Sequence, residues 1–227
     1  MPRIARVICP GIPHHVTQRG NRREPVFFSD FDRQAYIEYL DVYARRSNLG
    51  ILAYCLMGNH VHLVVVPRST HSLEQALRPL HTRHAQRINR LRGWKGHVWQ
   101  GRYFCAALDE RHLWAAVRYV ERNPVRAKLA ARAEEFAWSS AAAHCGLKPD
   151  TLLTQDSYWH RLFKGIGDWS AWLHIEDDRE SLETLRRNTG RGLPCGSPAF
   201  IDSIERIVGR SLKCLPPGRP RRSREHS

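Results

Sequence analysis

The feature that most constrains the chain is a pair of apolar runs, residues 51–57 (ILAYCLM) and 61–66 (VHLVVV), parted at Gly58-Asn59. Two short β-prone runs joined by a tight Gly/Asn turn read as a β-hairpin, and Pro67 ends its second strand. Upstream, residues 13–19 read as a further strand, ended by Gly20-Asn21. Ser29 or Asp30 can then cap a helix. Its apolar positions Phe31, Ala35, Tyr36, Tyr39, Leu40, Val42 and Tyr43 recur at helical spacing, with a stop at residues 48–50.

Downstream, Ser72 and Gln75 spell a capping box opening a long helix over residues 73–91. Glu74 suits the positive end of its dipole, and Pro79 is placed to kink its second turn. A turn at 93–96, a strand over 97–108 and a helix over 110–122, stopped by Asn123-Pro124, follow. The order is strand, helix, strand, strand, helix, strand, helix. That is an α+β chain with a ferredoxin-like βαββαβ core and one extra helix. Residues 1–150 are expected to hold this domain. Residues 151–212 read as a mostly helical C-terminal extension, with helices at 177–188 and 198–208. Residues 213–227 read as a basic, Pro- and Arg-rich tail, disordered until bound.

Charge narrows the function. The 227 residues carry 36 Lys and Arg against 22 Asp and Glu, a formal net charge of +14. Such an excess attracts polyanions, nucleic acid first among them; a solvated basic surface is the plain alternative. No apolar run reaches the roughly 18 residues of a membrane span, and the N-terminus lacks the apolar core of a secretory signal. The six cysteines are scattered without a CxxC, against a zinc ribbon. A reducing, cytoplasmic location is expected.

His60-Val61-His62 carries the candidate chemistry. Side chains two apart in a strand share a face, about 7 Å apart along the backbone, so both imidazoles can close on one divalent cation. With 13 histidines in the chain, an isolated HxH is more often two surface histidines. This pair, however, opens a strongly apolar strand. Tyr119 and Asn123, four apart, share a helical face. A phenol there can serve as a nucleophile and an amide oxygen as a third metal ligand. A core tyrosine and a helix C-cap before Pro124 fit the same spacing. His14 and His15 lie on opposite strand faces, so at most one of them can face the pair.

Taken together, HHVTQRGN (14–21), AYCLMGNHVHLVV (53–65), GHVWQGRYF (96–104), RYVERNPVRA (118–127) and WSSAAAH (138–144) resemble the REP-associated tyrosine transposases of the single-tyrosine HUH superfamily. The resemblance implies a ferredoxin-like fold and metal-dependent cleavage and rejoining of single-stranded DNA at hairpin (REP-like) repeats, through a 5′-phosphotyrosine. It implies Tyr119 as nucleophile, His60 and His62 as metal ligands, and Asn123 where relatives place a third ligand, a Gln. The implied cofactor is Mg²⁺ or Mn²⁺, and the implied location is the bacterial nucleoid. A homodimer with the tyrosine supplied in trans is one implied assembly; a monomer, its partner surface covered by the C-terminal extension, is the other.

Gln18, Arg19, Asn21, Arg22 and Arg23 can contact phosphates and base edges, or form a solvated turn. Arg83 and Arg87 line a helix face that tracks phosphates or simply meets water. Arg102 interleaves with Trp99 and Tyr103, and Trp99 reads as core. Arg219, Arg221 and Arg222 sit in a Gly-Arg-Pro segment resembling an AT-hook core, slim enough for a minor groove. Two rival readings are a non-catalytic, domesticated hairpin-binding protein and a water-using metallophosphoesterase. The second would need carboxylates near the histidines, for which only Asp109 and Glu121 offer themselves.

Overall fold

The computed structural model describes residues 6–212. Four strands, β1 (His14–Arg19), β2 (Leu49–Met57), β3 (His60–Pro67) and β4 (Phe104–Ala107), form one sheet in the order β2-β3-β1-β4. Every pairing is antiparallel. This is the ferredoxin-like arrangement expected from the element order. The hairpin turns tightly at residues 58–59. A register shift between Ile51 and Ala53 puts Leu52 and Ala53 in the same apolar cluster.

The two sheet faces differ in what covers them. Val61, Leu63 and Val65 face α1 (Asp30–Arg46) and α2 (Ser72–Arg92), with Tyr36, Leu40, Leu73, Leu77 and Leu80 in one buried cluster. Val64 and Val66 face α3 (Glu110–Glu121), through Leu113, Ala116, Val117 and Val120. The apolar faces of β3 thus pay the conformational cost of ordering helices on both sides.

The helix α1 begins with a capping box in which the Ser29 side chain accepts from the Asp32 amide and the Asp32 carboxylate accepts from the Ser29 amide. The capping box expected at Ser72 does not form. The cap position is His71, and the Ser72 hydroxyl instead accepts from the Ser69 amide at 3.0 Å. A turn begun at Ser69 has already claimed it. The helix runs through Pro79 as one element. The strand expected over 97–108 shortens to β4, because Trp99 turns into the core, donating its indole N–H to His81 O at 2.9 Å. The helix expected over 110–122 ends at Glu121, with Arg122 as its cap. A further turn, α4 (Asn123–Arg126), takes Pro124 in its first positions, where its missing N–H costs nothing.

The C-terminal region adds α5 (Ala141–His144), α6 (Ser157–Lys164), α7 (Trp169–His174), α8 (Arg179–Arg191) and α9 (Pro198–Val208). Trp159, Trp169, Leu173, Leu185 and Cys195 share a buried cluster with Leu113, Val117 and the sheet residues of the α3 face. Residues on both sides of position 150 therefore build one core. The basic tail, with Arg219, Arg221 and Arg222, lies outside the described residues. Among the described residues no helix is long and apolar enough to cross a membrane, and Cys9, Cys55, Cys105, Cys145 and Cys195 are free thiols.

Two histidines of α2 are structural. His81 Nε2 meets the Tyr36 hydroxyl at 3.1 Å, and His84 donates to Val26 O at 2.8 Å. Burial pushes His81 down to about 3 and His84 down to about 4. Both are neutral when folded, whereas the unfolded chain protonates them near 6.5. Their contribution is present above pH 6.5 and lost as pH falls toward 4. Urea midpoints should therefore drop between pH 7 and pH 5, at a slope on the order of 1 kcal/mol per pH unit per histidine. His84→Gln should flatten that slope; an unchanged slope would contradict the assignment.

Candidate active site at the histidine pair

Strand register builds the site. Thr17 pairs with His62 and Arg19 with His60. Cys55 and Met57 flank the same two histidines from β2. All of these side chains lie on the α3 face. His15, two residues before Thr17, joins them, while His14 turns to the other face and binds Ile12 O at 2.8 Å. The His60 and His62 rings stand edge to face, centroids 4.9 Å apart. Tyr119 of α3 lies edge-on to His62 at 5.3 Å and to His15 at 5.9 Å. The histidine pair and the candidate phenol are thus brought together within one chain.

Hydrogen bonds orient both imidazoles. The Asn59 amide N donates to Arg23 O at 2.8 Å, which turns its Oδ1 toward His60. His60 Nδ1 lies 2.6 Å from that oxygen and so carries the proton. His62 Nδ1 lies 3.0 Å from His15 Nε2, and His15 Nδ1 lies 2.8 Å from the Thr189 hydroxyl of α8. The remaining nitrogen, His62 Nε2, is buried without a partner. Burial holds His60 down at about 4 and His15 down at about 3. His62 is pushed well below its ordinary value by burial, then by the charges of His15 and His60 and of Arg126 and Arg19. Neutral imidazoles keep a lone pair for a ligand.

Tyr119 sits under cations. Arg126 lies 4.2 Å and Arg186 5.2 Å from its ring centroid. The Arg126 guanidinium also donates to the Tyr119 carbonyl, tying α4 to the end of α3. Asp177 holds Arg118, Arg122 and Arg126 at 3.6, 3.3 and 3.5 Å. Glu121, fully buried, anchors the other side of α3. It accepts from Ser140 at 2.5 Å, His144 at 2.6 Å and the Trp169 indole at 2.8 Å. Glu121 is therefore structural, its carboxylate committed to these three donors. Asn123 is buried one turn beyond Tyr119, and its side-chain N has no partner. Its position corrects the C-cap reading, since Arg122 is the cap.

The basic residues expected to meet nucleic acid separate into groups. Arg19 is half-buried beside His60. Asn21, Arg22 and Arg23 form an exposed helical turn next to Asn59, with φ of 51° at Arg22 and 64° at Arg23. Gln18 does not belong with them. It pairs with Val61, faces α1 and α2, is only 3% exposed, and donates to Gly101 O at 2.8 Å. Arg102 is exposed beside a 620 Å³ cavity shared with Arg6, Arg78 and His97. Arg83 and Arg87 line a second cavity between α1 and α2, on the sheet face away from the histidines. Arg83 stacks on Tyr39 at 4.7 Å, and Arg87 pairs with Asp32 at 3.4 Å.

Sequence reasoning missed Asn59, Arg126, Arg186 and Thr189. Arg126 follows Tyr119 by seven residues, a helical repeat that Pro124 masks. Asn59 was read only as a turn residue. Nothing local marks Arg186 or Thr189.

These elements bring two histidines and one tyrosine together on a ferredoxin-like sheet. The sequence model of the family described as "Transposase IS200 like" matches residues 10–123, half of the chain. The protein belongs to that family of transposases. Among solved structures, one described as the REP-associated tyrosine transposase bound to a REP hairpin matches with a TM-score of 0.54 at 17% identity. That match covers 69% of this chain and 96% of the other. It establishes the shared fold. A transposase structure from Deinococcus radiodurans R1 matches at a TM-score of 0.37 and 17% identity, covering 56% of this chain and 92% of that one. No curated protein matches the chain.

Removing the anchor of α3 should be costly, because it strands three buried partners. Glu121→Ala should lower unfolding free energy by about 3 kcal/mol, read by urea denaturation. A loss below about 1 kcal/mol would mean that the network is not holding the helix.

Proposed function

We propose that this transposase is a metal-dependent, site-specific nuclease and strand-transfer enzyme for single-stranded DNA, acting at hairpin repeats through a 5′-phosphotyrosine on Tyr119. The observation that carries the reading is the orientation of the two imidazoles. Each commits Nδ1 to a neighbour and leaves Nε2 for a ligand, with the phenol ring against His62. Among the described residues no three His, Cys, Asp or Glu side chains form a metal-binding group. The donor set is therefore two imidazole nitrogens, His60 Nε2 and the orphaned His62 Nε2. These residues fit a divalent ion whose remaining ligands are oxygens, with Asn123 as the proposed protein donor. Nitrogen donors favour Mn²⁺ over Mg²⁺. Such an ion supplies Lewis-acid stabilisation of charge on a scissile phosphate oxygen.

The chain's own groups do the rest. The Tyr119 hydroxyl loses its proton and its oxygen bonds to phosphorus. The bond from phosphorus to the 3′ oxygen breaks, and that oxygen takes a proton to leave as a 3′-OH. The phosphotyrosine conserves the phosphodiester, so attack by a 3′-OH reverses the step and reseals DNA without a nucleotide cofactor. Arg126 and Arg186, over the Tyr119 ring, offset the negative charge of the phenolate and of the incoming phosphate. Arg19, Arg22 and Arg23 border the His60 edge and are proposed to hold the DNA strand by its phosphates. Asn21 and Arg102 are proposed to help, with Arg83 and Arg87 on a separate surface. Gln18, buried, is left out.

The fold neighbour bound to a REP hairpin supports a hairpin as the partner. Because Tyr119 meets His62 of the same chain, the proposed site is complete in a monomer. A nucleoid location follows from DNA as the partner.

Incubating the protein with labelled single-stranded hairpin DNA and Mn²⁺ should give a covalent adduct on a denaturing gel. Tyr119→Phe should abolish the adduct, by more than 10³-fold, while leaving hairpin affinity within a few-fold. An adduct persisting in Tyr119→Phe would sink the nucleophile. Hairpin binding with no adduct under any metal would favour the non-catalytic binder. Replacing Arg22 and Arg23 together by Ala should lower the salt dependence of binding by about one unit of log–log slope per lost phosphate contact. An unchanged slope would remove that turn from the interface.

A further inference from the structure

The contact between His62 and His15 is not explained by packing alone. Two neutral imidazoles meeting nitrogen to nitrogen at 3.0 Å must divide one proton between them. Which ring donates decides whether His62 Nε2 is a bare lone pair or an N–H. Only the first can bind a cation. The far nitrogen of His15 bears on the choice, because it lies 2.8 Å from the Thr189 hydroxyl, which can accept its proton or donate to it. With its proton on Nδ1, His15 donates to Thr189 and offers Nε2 as an acceptor. His62 must then donate from Nδ1, and its Nε2 is left deprotonated. That Nε2 is the buried atom found without a partner. The two rings lie nearly parallel, 10° apart with centroids at 5.1 Å, and both are buried.

We propose that Thr189 and His15 form a relay that fixes His62 in the tautomer able to bind a divalent cation, making α8 a working part of the active site. The inference rests on the metal-site reading above and goes beyond it. Thr189 lies outside residues 10–123, the part that matches the transposase family. The hydroxyl reaches the sheet from 174 positions away in sequence. His60 has its own orienting group in Asn59. The chain thus supports the two imidazoles from opposite ends, one by the hairpin turn and one by the C-terminal region. His15 and Thr189 are positioning residues, since both are buried and act through His62.

Two measurements on the full-length chain test the relay. The first is the histidine tautomer in metal-free protein, read from long-range ¹H–¹⁵N correlations. Wild type should show His15 and His62 both protonated on Nδ1. Thr189→Val should shift His15 toward the Nε2–H form and His62 with it. The second is Mn²⁺ affinity without DNA, by electron paramagnetic resonance titration. His15→Leu should weaken it by about 10–100-fold, Thr189→Val should weaken it less, and His15→Gln should restore much of it by returning an acceptor. Thermal melts confirm that each variant is folded, and Thr189→Val serves if His15→Leu is not. Wild-type tautomers with His62 protonated on Nε2, or folded variants with unchanged Mn²⁺ affinity, would overturn the relay. A wild type with the expected tautomers but no Mn²⁺ binding would overturn the metal reading and leave the relay standing as an orienting device.

Discussion

The pairing of β1 with β3 is the constraint on which the rest depends. Side chains alternate along a strand, so slipping this register by one residue would turn every one of them to the opposite face. Thr17 opposite His62 sets His15, Arg19, His60 and His62 on one surface and Val61, Leu63 and Val65 on the other. The second set is held in place by α1 and α2, so the apolar face enforces the geometry of the polar one. The histidines need no local scaffold of their own, because the core behind them fixes their spacing.

Much of this was legible in the sequence, for reasons that can be traced. The hairpin was announced by its composition and its Gly-Asn turn. The HxH face followed from the two-residue period, with Val61 as the core-facing divider. The helix at residues 198–208 was plain because Ser197, Pro198 and Gly209 mark its ends. Gln18 could have been placed by the same parity, since it lies opposite Val61, but this required knowing the register. Ser72 shows the limit of local signals: two turns competed for one hydroxyl, and the sequence pattern of a capping box does not say which wins. Thr189 and Arg186 were illegible because their partners, His15 and Tyr119, are joined to them only through the packing of α8.

The C-terminal region is consequently more than an appendage. Trp169 and Leu185 complete the core beneath α3, the Trp169 indole satisfies Glu121, and Arg186 and Thr189 reach the tyrosine and the histidines. Stability and chemistry draw on the same elements here. A change in α8 therefore reaches both the core beneath α3 and the side chains beside Tyr119 and His15.

Asp177 has an electrostatic consequence. One carboxylate there serves three guanidiniums on the α3–α4 segment, and Arg186 adds a fourth cation above Tyr119. Positive charge around Tyr119 is thus only partly neutralised by Asp177. In a half-buried site such an imbalance is weakly screened. An anion arriving there relieves it, so the fold holds a standing preference for negative charge beside the Tyr119 ring. Arg126 would share such an anion with Asp177, which it already pairs at 3.5 Å.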